Sequence, residues 1–225
     1  MYPKSIAGAT ALLAAPSIVI AGALAQPTLS GDADKQVGAL TSHRGAMIVG
    51  MTLSMIAAVL LIAGTVWLAH TLARSAPRLA MAGGVLGVLG LLVVLFQSGV
   101  DAAAPAIVGT LDRAQATDVL NHIHSGALSA LEPLSILGNV GFALLGIAVV
   151  KAGASRWAAA LIVVGALGYG PGFATGTKQL VIISFALLFA GLLQAVRTLV
   201  TRPEPCSSIA PRITRVSKGT VSTIS

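Results

Sequence analysis

Charged side chains are scarce in this sequence, because Asp, Glu, Lys and Arg together make up 9% of its 225 residues. A soluble domain carries about 25% charged residues, so this chain cannot cover a water-facing surface of ordinary size. Hydrophobic residues make up 56% of the chain, and the mean hydropathy is +0.91. This composition excludes an ordinary soluble enzyme and predicts an all-α, multi-pass membrane protein.

Cysteine is almost absent, since Cys206 is the single one in the chain. One thiol cannot form an intramolecular disulfide framework or a cysteine-based metal cluster within one chain. The sequence also lacks Gly-x-Ser-x-Gly, His-Glu-x-x-His and the Gly-x-x-x-x-Gly-Lys phosphate loop. No catalytic residue is therefore assigned, the cofactor stays open, and an enzyme is not the favoured interpretation.

Long uncharged runs are present instead, several of them reaching the roughly 18 to 25 residues that cross a bilayer as a helix. We predict a six-span transmembrane helix bundle within residues 1–200, with spans at about residues 6–25, 46–69, 79–100, 133–150, 157–172 and 179–196. The basic residues 201–225 are predicted to be a disordered cytoplasmic tail. Residues 1–25 also fit a cleaved signal peptide ending at Ala25, although their length favours a retained span.

The connections between the spans carry predictions of their own. Residues 26–45 are predicted to be a polar loop, and residues 102–111 an interfacial or re-entrant piece too short to span. An amphipathic helix is predicted around residues 114–132, and it is expected to lie at the outer membrane surface. The fifth span is predicted to end or bend at residues 168–172, where glycines flank Pro171.

Basic and acidic residues are divided unequally between the two sides of this map. Ten of the fourteen lysines and arginines share the side of the N-terminus, and the four on the other side are Lys35, Arg44, Arg113 and Lys178. Six of the seven acids lie with those four. Because an excess of Lys and Arg marks the cytoplasmic side, we predict a bacterial plasma membrane protein with both termini in the cytoplasm. The net charge is +7, and the basic residues occur singly between apolar blocks. This distribution suits binding to lipid headgroups and not to nucleic acid.

Histidines and carboxylates gather on the predicted outer side. Asp118 and His122 share a helix face at a spacing of four residues, Glu132 closes the same stripe, and His43 comes from the preceding outer loop. Such a set offers ligands for a divalent metal or a proton relay. The simpler interpretation is the water-facing side of an interfacial helix, and it is favoured because no strict metal-binding spacing is present. We therefore predict no metal site.

Polar side chains and glycines within the spans form two further candidate sets. Gln97, Asn139 and Gln194 are conspicuous amides that either link helices or line a substrate path. Asp101, near Gln97, is predicted to lie at the depth of the headgroups. Small residues let helix backbones approach closely, so four glycines are predicted to be packing positions: Gly83, Gly87, Gly168 and Gly172.

The chain combines six short spans, a long third-to-fourth connection, an Ala/Gly-rich sequence and a basic tail. In this general plan it resembles the small uncharacterised multi-pass membrane proteins of actinobacteria. The resemblance is one of architecture over residues 5–200, and it implies no activity. We predict a non-enzymatic accessory or small-ligand-binding membrane protein. A small-molecule permease and a metal-dependent enzyme with an outer His/Asp site remain alternatives. The predicted partners are the lipid bilayer and a second copy or another protein, with no nucleic acid.

Overall fold

A computed structural model describes residues 3–27 and 32–201, and this part of the chain is helical without any strand. The predicted tail from residue 202 onward lies outside the described residues. The helices are α1 (Pro3–Ala25), α2 (Ala33–Leu72), α3 (Pro77–Asp101), α4 (Ala104–Thr110), α5 (Arg113–Ser125), α6 (Ala127–Lys151), α7 (Arg156–Ala174) and α8 (Lys178–Thr201). Five helical stretches, in α1, α2, α3, α6 and α8, are long and apolar enough to cross a membrane. The predicted all-helical, membrane-compatible class is confirmed, whereas α7 is not among these five.

The six long helices close into a ring. Each packs on the next in the order α1, α2, α3, α6, α7, α8, and α8 returns to α1. Neighbouring helices run antiparallel, as Gly8 of α1 meets Trp67 of α2 while Gly22 meets Gly50. The short helices α4 and α5 lie at one end of the ring, packed against the first turns of α2. We call this end, which carries Asp101 and His124, the polar end.

Short polar side chains define where several helices begin. Asp32 caps α2, because its carboxylate accepts hydrogen bonds from two backbone N–H groups of the first turn. The Asp112 carboxylate accepts from the Gln115 amide at 2.9 Å to cap α5, and the Ser155 hydroxyl accepts from the Ala158 amide at 3.1 Å to cap α7. Each cap pairs a backbone donor that the helix itself leaves without a partner.

Glycines allow α3 and α6 to touch along their backbones. A methyl group built on Gly90 would overlap the backbone of Gly138, and one built on Gly141 would overlap Gly87. One on Gly83 would lie 2.9 Å from the carbonyl oxygen of Gly141. Removing side chains at this interface lets the two helices gain dispersion contacts that bulkier residues would prevent.

Glycines also allow α7 and α8 to approach closely. A methyl group on Gly168 would overlap the Ser184 hydroxyl, and one on Gly172 would lie 3.0 Å from the Val181 amide nitrogen. The four glycines predicted as packing positions thus all lie where helices meet, although Gly87 also faces α2, with Thr65 Cγ2 3.1 Å from a methyl built there.

The predicted polar loop over residues 26–45 is wrong for most of its length. The chain is already helical at Ala33, and α2 runs on to Leu72 with a bend at His43, where φ is −137° and ψ is 42°. An apolar stripe explains the early start, because residues spaced four and three apart on this segment pack against Ala116 and Leu120 of α5. The residues of the stripe are Ala33, Val37 and Leu40.

The predicted amphipathic helix over residues 114–132 is divided into two. α5 ends at Ser125 and α6 begins at Ala127, because Gly126 takes φ −86° and ψ −130°, which no helix contains. The buried face of α5 packs against α2 and α4, so protein covers it where a membrane surface was expected. Residues 102–111, predicted to be an interfacial or re-entrant piece, contain the short helix α4.

The fifth predicted span does not end at residues 168–172. α7 continues through Pro171 to Ala174. Proline lacks the backbone donor that would bond to the carbonyl of Leu167 one turn earlier. The helix nevertheless continues for three more residues, and the Pro171 carbonyl accepts from the Thr175 amide at 3.0 Å. Gly176, with φ 64°, then reverses the chain in a conformation that favours glycine.

Candidate functional site

A cavity of about 840 Å³ lies inside the helix ring. Small-molecule sites in proteins span about 300–1,000 Å³, so this volume suits a ligand of that size. Every long helix contributes to the wall, which is apolar over much of its depth. The larger apolar side chains of the wall are Val19, Met47, Met51, Leu61, Leu91, Val94, Ile136, Phe142, Val181, Phe185 and Leu188.

Polar side chains line the cavity mainly toward the polar end of the ring. They come from the end of α1, the first turn of α2, the last turns of α3, the end of α5 and the first half of α6, namely Gln26, Gln36, Gln97, Ser98, Asp101, His124, Ser129, Ser135 and Asn139. Tyr169 of α7 also lines it, and its ring packs edge-on against Phe185 at 5.3 Å between centroids. The cavity is therefore amphipathic, with an apolar interior and a polar rim.

One pair of ionisable side chains, Asp101 and His124, lies in this rim. Nε2 of His124 lies 3.1 Å from Oδ1 of Asp101, joining the end of α5 to the end of α3. Both side chains are about three-quarters buried, with 27% and 28% of their surface exposed. The other ring nitrogen of His124, Nδ1, is buried without a hydrogen-bond partner.

A second buried polar atom without a partner belongs to Gln36, a residue that lines the cavity. The residue is only 5% exposed, and its Oε1 has no hydrogen-bond partner. The large majority of buried side-chain polar atoms in proteins are hydrogen-bonded. The unpaired carboxamide oxygen of Gln36, next to the cavity, is therefore an exception.

The cavity opens sideways between α6 and α7 at the polar end. Of its lining residues, the exposed ones lie on the first turns of α6 and the last turn of α7, and Ile136 is 58% exposed. Toward the opposite end the two helices touch, since a methyl on Gly146 would lie 3.2 Å from Val163 and 3.4 Å from the Ala159 carbonyl. The two helices thus pack closely at that end, and toward the polar end the Asn139 side chain of α6 still reaches to 3.6 Å from a methyl built on Gly170 of α7.

Lys178 closes another seam of the ring. Its ammonium donates hydrogen bonds to the carbonyl oxygens of Gln26 at 2.7 Å and Leu24 at 3.2 Å. Both carbonyls belong to the end of α1, where cations are favoured by the helix dipole. The start of α8 is thereby tied to α1 next to the cavity, and Gln26 is held at its wall.

The structure divides the three amides that were singled out within the spans. Gln97 and Asn139 both line the cavity. Gln194 does not, because it is exposed near the opposite end and its Oε1 accepts a hydrogen bond from the Ser155 hydroxyl at 3.3 Å. A path through all three amides is therefore not formed within the described residues.

The outer histidine and carboxylate set is likewise dispersed. Asp118, His122 and His43 are all exposed and none lines the cavity. Asp118 borders a shallow surface depression with Asp34 and Arg113. The side chain of Glu132 lies outside what the structure describes. No group of three His, Cys, Asp or Glu residues suited to a metal occurs in the described ranges.

From the sequence, Asp101 is named only for its predicted depth near Gln97, and neither His124 nor the buried Gln36 is singled out. Two spacings could have indicated the pair of Asp101 and His124. Asp101 follows Gln97 by four residues and therefore shares its helix face, and His124 follows the buried Leu120 by four residues on α5. Their meeting across 23 residues is a tertiary contact that spacing alone does not reveal.

These features define a class, which is a bundle of membrane-compatible helices closed around a ligand-sized cavity with a polar rim. No protein-family model, curated protein or solved structure matches the chain. The resemblance to small actinobacterial membrane proteins therefore stays a prediction, and the activity has to be argued from the cavity itself.

Proposed function

We propose that the chain is a six-span protein of the bacterial plasma membrane that binds a small amphipathic molecule in its central cavity without chemically altering it. The observation that carries the proposal is the cavity of about 840 Å³, with apolar walls and a rim of amides, hydroxyls and the pair of Asp101 and His124. A molecule with an apolar body and a polar group matches that division. The sideways opening between α6 and α7 supports entry from the surrounding lipid.

Two observations support the sixth span and the orientation within the proposal. α7 has 19 residues, which at 1.5 Å per residue gives about 28 Å, close to the roughly 30 Å of a hydrocarbon core. Residues assigned to the outer side meet at one end of the ring, where Arg113 contacts Asp34 at 3.0 Å. Both termini then lie in the cytoplasm, with the polar end outside.

Binding of the neutral, polarity-sensitive dye Nile red to the protein in lipid nanodiscs tests the proposal. Val94 lines the cavity, whereas Val85 on the same helix is 52% exposed on the outer surface of the ring. We expect saturable binding to the unmodified protein and to Val85→Trp, and at least about tenfold weaker binding to Val94→Trp, because the indole occupies cavity volume. Equal binding to the two variants would contradict the proposal.

A permease is the second candidate, favoured by the placement of Gln97 and Asn139 on the cavity wall. A moving substrate would exchange hydrogen bonds with these amides on its way. If the protein transports, Asn139→Leu lowers flux in proteoliposomes, and Gln194→Leu, outside the cavity, leaves it unchanged. Unchanged flux in a folded Asn139→Leu variant would remove this path.

A further inference from the structure

The charges on the cavity wall bear on the chemistry of the ligand. Among the side chains that the structure describes, Asp101 is the one acid on the wall and His124 the one imidazole, and no lysine or arginine lines it. Burying an anionic group there would leave that group without a fixed cationic partner, which is costly. The wall therefore disfavours anions and accommodates neutral or positively charged molecules.

The unpaired atoms of the wall are suited to accept hydrogen bonds. When Nε2–H of neutral His124 donates to Asp101, Nδ1 is left as an acceptor. Nδ1 has no partner, and neither has Oε1 of Gln36, which also can only accept. The Asp101 carboxylate has lone pairs beyond the one used by His124. A ligand that brings a donor can therefore bond to the Asp101 carboxylate on this wall.

A positive charge on the ligand fits the same geometry. The Asp101 carboxylate is partly buried, so the effective dielectric constant around it is lower than in water. It therefore attracts a cation more strongly than it would in water. An ammonium group has three donors and no acceptor, which complements the wall.

We propose that the molecule bound in the cavity is an amphipathic organic cation, a protonated amine on an apolar body, whose ammonium hydrogen-bonds to Asp101. This inference rests on the proposed function, since it names the class of ligand for the same cavity. The apolar body lies against Leu91, Phe142 and Leu188, deeper in the ring.

Three probes of one chain length, dodecylamine, dodecanol and dodecanoate, test the inference by displacing Nile red from the protein in nanodiscs of zwitterionic lipid. We expect dodecylamine to displace the dye at about tenfold lower concentration than dodecanol, as a charged hydrogen bond adds that much, and dodecanoate to be the weakest. In Asp101→Asn the advantage of the amine disappears, while dodecanol displaces as before.

Asp118→Asn is the matched control, because Asp118 is an exposed carboxylate of the same end that lies outside the cavity. It should keep the full preference for the amine, which separates binding at Asp101 from general attraction of amines to an acidic surface. Equal displacement by amine and alcohol, or an amine preference that survives Asp101→Asn, would overturn the inference but leave the proposed function standing. Failure of all three probes and of the dye would overturn the proposed function itself. If Asp101→Asn does not fold, the order of the three probes on the unmodified protein decides.

Discussion

The backbone contact between α3 and α6 makes a prediction that distinguishes two glycines facing each other. A methyl group on Gly90 would overlap the backbone of Gly138, but one on Gly138 would lie 3.5 Å from the Gly90 Cα, an ordinary contact. Gly90→Ala must therefore push the helices apart by about 1 Å or more, and overpacking of this kind costs about 1–3 kcal/mol. Gly138→Ala requires no such movement.

The helix propensity of alanine sharpens the comparison. Replacing a helical glycine by alanine gains about 0.5–1 kcal/mol when space is free. Gly99, on the same helix as Gly90, has nothing within 4 Å of a built methyl, so Gly99→Ala should be neutral or slightly stabilising. The assay is the free energy of unfolding of the purified protein, measured by titration with denaturing detergent. A Gly90→Ala variant as stable as Gly99→Ala would refute the close approach of α3 and α6.

Three further predictions concern the polar end. Asp112→Ala removes the cap of α5 and should cost about 1 kcal/mol, visible as faster hydrogen exchange in that helix. Lys178→Met removes two hydrogen bonds to the end of α1, each worth up to about 3 kcal/mol. Hydrogen exchange should therefore become faster at the Gln26 end of α1. Unchanged exchange would contradict a stabilising contact between Lys178 and α1. Ile136→Trp, at the opening between α6 and α7, should slow both association and release of Nile red with a smaller change in affinity, whereas unaltered rates would place the entrance elsewhere.

The helical class and the helix-packing glycines follow from local patterns in the sequence. Uncharged runs of bilayer length indicate helices wherever they lie. Glycines spaced four apart, such as Gly83 and Gly87, indicate a face that admits a neighbouring backbone without naming the neighbour. The identity of that neighbour, Gly141 on α6, depends on how the ring closes, and no local pattern carries it.

The early start of α2 shows how a polar segment conceals a helix. Asp32, Asp34 and Lys35 make residues 26–45 look like a loop, yet Val37 and its neighbours bury a stripe against α5. The partner of that stripe lies some 80 residues further along the chain, so hydropathy averaged over a window misses it. The sequence predicts a loop where α2 begins, so it offers no protein partner for the apolar face of α5. That face is therefore predicted to lie in lipid.

The cavity escaped prediction for a related reason. Each of its polar residues, taken singly, has an ordinary role: Gln97 as a link between helices, Asp101 at a helix end, His124 on a surface helix. The site exists only because the ring brings these helix ends together around unfilled space, and unfilled space leaves no trace in a sequence. The spacing of Asp118 and His122 is easier to recognise in the sequence than the cavity residues are. In the structure, however, Asp118 and His122 are exposed, whereas the three cavity residues are partly buried.

Photolabelling with a dodecylamine that carries a photoactivatable diazirine on its chain tests the central claim most directly, using the unmodified protein in nanodiscs. If the cavity holds amphipathic amines, the label is expected on inward residues such as Val94, Phe142 and Leu188, and excess dodecylamine should suppress it. Labelling confined to the outer surface of the ring, at Val85, Leu89 or Val164, and insensitive to competitor would contradict the account.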